Sequence, residues 1–231
     1  MENSGSAVDR LRDVRERLVQ AGTVVARADG RRRDLFPVAI GRTEGRALLD
    51  WVRREGAHRT LESGLGFAVS TLFLCEGLLS NGPHGRHVAA DPYQFVEGPT
   101  RGTTYAGVGV QVLEEAGVLD LVEFYPEESQ VVFPRLLSQG REFDLAFIDG
   151  NHRFEAVFLD VIYSGRLLRE RGVVFVDDVQ IPGPAQAVRF CIANLGWTVE
   201  DQGTEGVHEW VVVRTGSRDA FLRPYTEFVN L

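Results

Sequence analysis

The chain has 231 residues, 44% of them hydrophobic, enough to bury one core of the larger α/β kind. Its formal net charge is −8, and its only basic cluster is the short run Arg31-Arg32-Arg33, which excludes the broad basic footprint of a nucleic-acid binder. No segment approaches the roughly 20 apolar residues of a membrane helix. Met1 to Arg10 carries Glu2 and Asp9 without an apolar core, so a secretion signal is not expected either. Cys75 and Cys191 each stand among apolar neighbours, as buried thiols of a reducing compartment do, and a soluble cytoplasmic protein is expected.

Apolar residues at helical spacing mark Asp9 to Gln20 (Leu11, Val14, Leu18) and Arg42 to Arg54 (Leu48, Leu49, Trp51, Val52), with a mixed Arg/Gly-rich connection or lid over Ala21 to Phe36. Strands and helices then alternate. Strands are expected at Arg59 to Glu62, Arg86 to Asp91, Leu119 to Tyr125, Phe143 to Asp149 and Gly172 to Asp177. Helices are expected at Phe67 to Leu79, Tyr105 to Ala116, Gln130 to Ser138 (interrupted by Pro134), Phe154 to Leu168 and Ala185 to Leu195. Trp197 to Asp201 and Glu209 to Val213, joined by a Gly-containing loop, read as a closing hairpin.

This order predicts a doubly wound, mostly parallel seven-stranded α/β sheet whose last strand is antiparallel. Residues 1–39 are expected to form a helical extension that acts as a lid or packs a homodimer, 40–215 the main domain and 216–231 a tail, within one globular domain. Strands buried on both faces read as continuous apolar runs. Phe143 to Ile148 and Val173 to Val176 have that character, and each ends abruptly in acid: Asp149, then Asp177-Asp178. Ligands of such sheets bind beyond the strands' carboxyl ends.

Glu62-Ser63-Gly64-Leu65-Gly66-Phe67-Ala68 joins the first expected strand to its helix. Gly64 and Gly66 permit a tight turn and close ligand approach, and the following helix N-terminus offers unpaired N–H groups. A dinucleotide fingerprint would have a third glycine where Val69 stands, and no Gly-Lys-Ser/Thr follows. Alone, the pattern also fits an ordinary strand-to-helix turn. Asp91, ending the second expected strand, could accept hydrogen bonds from a ribose or cap the next segment. Together these residues favour a nucleoside ligand.

Asp149, Asp177 and Asp178 fit a magnesium site, since a hard divalent cation takes oxygen ligands and keeps several waters; helix capping is the alternative. Asn151 reads as an N-cap that puts His152 in the first helical turn, outside the buried stripe of Phe154, Val157, Phe158 and Val161. A neutral imidazole there can take a proton from a substrate hydroxyl. His58, His84, His87 and His208 lack such a setting and read as surface or loop residues.

From Leu61 to Leu72, at Asp91-Pro92-Tyr93, from Phe143 to His152 and at Val176-Asp177-Asp178, the chain resembles the class I S-adenosylmethionine-dependent methyltransferases. It is most similar to the bacterial small-molecule O-methyltransferases that include the catechol and macrolide-sugar enzymes. Ala68, where that family often has a third glycine, is a mild departure. The resemblance implies that Gly64, Leu65, Gly66 and Ser70 pass the cofactor's methionine part, with Glu62 helping to hold its amino group. Asp91 and Pro92 would take the ribose, Glu128 and Ser129 the adenine edge, and Asp149 would face both cofactor and metal. Glu128 or Ser129 could equally start a helix.

The expected reaction is magnesium-assisted O-methylation of a small-molecule hydroxyl, with His152 as base, Asp149, Asp177 and Asp178 as metal ligands, and neither nucleic acid nor membrane as partner. Phe36, Arg42, Glu44 and the loop Gln94 to Thr104 are candidate walls for the acceptor. Two other readings stand beside it: a nicotinamide-dependent oxidoreductase, and a nucleoside-binding module without catalysis.

Overall fold

A computed structural model describes residues 4–96, 105–222 and 224–229. Its strands form a seven-stranded sheet of order β5-β4-β3-β6-β7-β9-β8 and a separate two-stranded one, β1-β2, and the chain falls into two compact units, 1–128 and 129–231.

The first unit contains α1 (Ser4–Ala21), β1 (Thr23–Val25), β2 (Arg32–Asp34), α2 (Arg42–Arg54), β3 (Arg59–Ser63), α3 (Val69–Asn81), β4 (Arg86–Ala90), α4 (Val108–Ala116) and β5 (Val122–Tyr125). β3 and β4 run parallel with Ser63 opposite Ala90, and β5 is parallel to β4 with Tyr125 opposite Ala90. Apart from their first residues, β3 and β4 are buried throughout, as strands covered on both faces must be. α3 is buried continuously from Val69 to Leu78 and forms the hub of the unit. α2 lies against it where glycines leave room: a Cβ on Gly45 would stand 2.1 Å from the Phe73 ring, and one on Gly77 2.5 Å from Val52. α1 docks through Arg12 and Arg15, which pair at 2.8 and 2.6 Å with the buried Glu76.

The β1–β2 hairpin occupies the stretch expected to be a plain connection. Each strand has three residues, and Arg32-Arg33-Asp34 is wholly polar, so no alternation could mark it.

The second unit contains α5 (Ser129–Ser138), β6 (Phe143–Ile148), α6 (Phe154–Leu167), β7 (Leu168–Val176), α7 (Pro182–Leu195), β8 (Thr198–Glu205) and β9 (His208–Arg214). β6 is buried at every residue and pairs in parallel with β7, Phe147 opposite Phe175. β9 runs antiparallel to both β7 and β8, so the closing hairpin inserts its second strand beside β7. α5 continues through Pro134. This is the doubly wound, mostly parallel sheet expected from the alternation of elements.

Both cysteines are free and buried. Burial, with the Glu62 charge behind it, pushes the Cys75 thiol up, and burial alone takes Cys191 to about 12. Among the described residues, no helix is long and apolar enough to cross a membrane.

Candidate active site

In the first unit the glycine loop is clamped at two points. Gly64 (φ 93°) and Gly66 (φ 49°) occupy the left-handed region, as does Ala68 (φ 62°), which immediately precedes α3. The Gly64 N–H donates to the Ala90 carbonyl at 2.9 Å, and the Gly66 N–H donates to Asp91 Oδ2 at 2.8 Å. Gln94 closes the other side, its Nε2 donating to the Gly66 carbonyl at 2.7 Å and to Asp91 Oδ2 at 3.0 Å. Gln94 Oε1 in turn accepts the Gly109 N–H at 3.0 Å. A Cβ on Gly109 would lie 2.7 Å from the Gly66 carbonyl oxygen and 2.9 Å from Gln94 Oε1, so this contact requires glycine. Asp91, expected at a ribose, is thus buried and engaged by the loop itself, with Tyr93 N–H also donating to Oδ1 at 2.7 Å.

The second clamp is Glu62, fully buried at the end of β3. It accepts the Ser70 hydroxyl on Oε1, and the Thr71 hydroxyl on Oε2 at 2.6 Å, both from the first turn of α3. His87 Nε2 stands 3.1 Å from Oε2. His87 is therefore not a surface or loop residue, as its sequence setting suggests; it lies within β4 at 0% exposure, because only its ring nitrogens need partners and Glu62 and Thr60 supply them. Leu65 is buried, Pro92 is partly so, Glu128 is exposed and Ser129 opens α5. Of the expected pocket walls, Arg42 pairs with Glu16 at 3.0 Å and Glu44 is buried. Residues 97–104 of the expected wall Gln94 to Thr104 lie outside the described residues.

In the second unit the acids follow the strands as expected: Asp149 after β6, Asp177 and Asp178 after β7. Asp178 is the centre of the group. Its backbone is left-handed (φ 58°), a conformation Asp tolerates better than most residues. Oδ2 lies 2.8 Å from His152 Nε2, and Oδ1 accepts from Gln180 Nε2 at 2.6 Å and lies 3.0 Å from His208 Nδ1. The Asp178 N–H donates to Asp177 Oδ1 at 2.6 Å. Burial works against ionisation of Asp178, but hydrogen bonds from His152 and Gln180, the His152 charge and His208 outweigh it and hold the carboxyl down at about 2. The hydrogen bond to Asp178, with the charges of Asp178 and Asp177 behind it, raises His152 above its ordinary 6.5 despite the opposing effect of burial.

Three placements differ from the sequence reading. α6 begins at Phe154, so His152 stands in the loop ahead of the helix; Asn151 Oδ1 accepts the Arg153 N–H at 2.9 Å and turns the chain before the helix starts. Phe154 is 42% exposed rather than part of a buried stripe, and it stacks on Phe158. His208, read as surface or loop, begins β9 and reaches Asp178 across the β7–β9 pairing, a long-range contact with no local sequence signal.

The three expected metal carboxylates are divided between two groups that share Asp178. Asp149, His152 and Asp178 bring ligand atoms within 4.8 Å of one another, and so do Asp177, Asp178 and His208. These mixed nitrogen and oxygen donors fit a divalent cation, and suit a transition-metal ion better than magnesium, which prefers oxygen alone. Without any cation, the pair has acid–base capacity. A carboxylate only accepts, so a neutral His152 carries its proton on Nε2 and a lone pair on Nδ1, with the side chain 45% exposed to an incoming hydroxyl.

A methyltransferase-domain family model matches residues 61–179, more than half of the chain, spanning the glycine loop, Asp91, Asp149, His152, Asp177 and Asp178. No curated protein matches. Among solved structures, the O-methyltransferase TomG from Streptomyces achromogenes, in complex with SAM, is 22% identical with a TM-score of 0.66, covering 91% of this chain and 90% of its own. The O-methyltransferase from Bacillus cereus, in complex with SAH, is 19% identical at TM-score 0.65 with the same coverage. Cofactor-bound Rv0187 from MTB is 21% identical at TM-score 0.66, covering 92% of this chain and 91% of its own. At these identities the structures speak for the fold, while the family match covers the residues that close the glycine loop and displaces the nicotinamide reading. The chain belongs to the methyltransferase-domain family and is a class I S-adenosylmethionine-dependent methyltransferase.

Proposed function

We propose that this chain O-methylates a hydroxyl of a small molecule, with His152 as general base. The observation that carries the reading is the His152–Asp178 pair at 2.8 Å, joining the loop after β6 to the one after β7 in a chain of this family. TomG is described as involved in tomaymycin synthesis, which supports a natural-product acceptor. In the first unit, Glu62, Gly64, Leu65, Gly66, Ser70, Asp91, Pro92 and Glu128 are the cofactor candidates; in the second unit, Ser129 and Asp149 are further candidates and His152 is the base.

In the reaction, His152 Nδ1 takes the acceptor's hydroxyl proton. The oxygen lone pair forms the new O–CH3 bond while the S–CH3 bond breaks, leaving the sulfonium as a neutral thioether. Asp178 keeps the imidazole turned and stabilises the imidazolium that results. A divalent cation, when bound, would be held by the carboxylates of Asp149 and Asp178 and would lower the pKa of a coordinated hydroxyl, leaving the His152 lone pair free for its proton.

The test is methyl transfer to a panel of phenolic and sugar hydroxyls. His152→Ala is expected to keep its fold and S-adenosylhomocysteine affinity while losing about 10²–10⁴-fold in kcat. Wild-type turnover in this variant across pH would remove the base assignment. Rates that survive a chelator assign the chemistry to the His–Asp pair alone, whereas loss with recovery on added manganese or magnesium assigns a metal to it.

A further inference from the structure

His87 is a buried imidazole that the reaction above does not use. Its ring is fully buried in β4 and touches polar groups on both sides: Nε2 is 3.1 Å from Glu62 Oε2, and Nδ1 is 2.9 Å from Thr60 Oγ1. Glu62 already accepts the Ser70 and Thr71 hydroxyls, one on each oxygen. The nitrogen facing Glu62 therefore has to be the N–H side of the ring, leaving Nδ1 to accept the Thr60 hydroxyl. That assignment satisfies every group in a place where an unpaired donor or acceptor would be costly. It also makes one continuous chain, from Thr60 through His87 and Glu62 to Ser70 and Thr71.

The ends of that chain matter. Glu62 is the penultimate residue of β3, and Ser70 and Thr71 lie in the first turn of α3, so the carboxylate spans the glycine loop Gly64 to Ala68 from strand to helix. On its other side only the imidazole from β4 fixes which way the carboxylate turns, among the bonds described for it. We propose that His87 is a positioning residue of the cofactor loop: its Nε2–H orients Glu62, and Glu62 passes that constraint through the Ser70 and Thr71 hydroxyls to the turn that receives S-adenosylmethionine. The inference rests on the reading that this loop holds the cofactor.

A merely structural His87 and a positioning one separate under calorimetry with S-adenosylhomocysteine, run well below each variant's melting temperature. His87→Leu, which removes the donor, is expected to weaken binding about tenfold, the effect of one hydrogen bond to a charged group. His87→Gln, which can offer an amide N–H near the Nε2 position, is expected to stay within about threefold of wild type. With S-adenosylmethionine as substrate, KM should rise with His87→Leu while kcat at saturation holds. In the wild type, nitrogen-15 NMR of the imidazole should find the proton on Nε2.

Wild-type affinity in folded His87→Leu would overturn the inference, and so would a neutral ring protonated on Nδ1. Should His87→Leu fail to fold, Thr60→Val is the substitute. It keeps the side-chain shape and removes the hydroxyl that anchors Nδ1 on the far side of the ring, so binding should weaken in the same direction, and unchanged affinity would overturn the proposal equally. A wild-type protein that does not bind S-adenosylhomocysteine would refute the cofactor reading itself, an outcome distinct from binding that is indifferent to His87.

Discussion

Asp178 serves two imidazoles with one carboxylate, and its oxygens are not equivalent. Gln180 and His208 occupy Oδ1, which leaves Oδ2 directed at His152. Asp178→Asn should therefore affect catalysis in two ways. The plateau rate falls at least about tenfold because the imidazole loses its orienting acceptor. The acidic limb of the rate–pH profile, expected above 6.5 in the wild type because Asp178 raises His152, should move to lower pH. An unmoved limb would show that Asp178 does not govern His152. The same pair contributes to stability with opposite signs. The depressed Asp178 contributes above its unfolded value of 3.8 and loses that contribution as pH falls toward about 2. The raised His152 contributes fully below 6.5 and loses it as pH rises through its folded value. The pair therefore stabilises most between about 3.8 and 6.5. At this scale the sequence was legible where a residue's neighbours in the chain are also its neighbours in space: Asp149, Asp177 and Asp178 end apolar runs. His87, His208 and Gly109 find the partners described here 15 to 30 residues away, and Gln94 reaches across 28 residues to Gly66; no local pattern marks these contacts.

Among the elements, the helices of the first unit show how small residues set packing. Gly45 in α2 and Gly77 in α3 let the two helices approach until Phe73 and Val52 fill the space a Cβ would need. Phe73 has little freedom to give way, being buried with the Arg15 guanidinium 3.9 Å from its ring centre. Gly45→Ala should therefore be destabilising. Overpacking costs about 1–3 kcal/mol and exceeds the roughly 1 kcal/mol by which Ala improves on Gly in a helix. Urea unfolding should show a lower midpoint at unchanged slope, and a higher midpoint would mean the helices can part. The periodic helices and buried strands were legible because burial on one or both faces writes itself into composition; α2 falls at Arg42–Arg54, where the pattern places it. The helix starts at Phe154 as expected, but the assignment of Asn151 as its cap failed: Asn151 makes a turn and leaves His152 outside the helix. Asn side chains serve both purposes with the same hydrogen bond, so sequence alone does not choose between them.

For the whole molecule, order of elements carried the fold: alternation followed by a hairpin leads to the observed strand order, with β9 antiparallel beside β7. The candidate site residues lie at or just beyond the strands' carboxyl ends in each unit, Glu62 and Asp91 in the first and Asp149, Asp177 and Asp178 in the second. Both the resemblance read from the motifs and the family match over 61–179 point to one cofactor class. The most direct measurement is therefore calorimetric titration of the wild-type protein with S-adenosylmethionine and S-adenosylhomocysteine, with NAD as control. The account predicts that both sulfur nucleosides bind and NAD does not. Binding of NAD in their place, or no binding of either nucleoside, would contradict it.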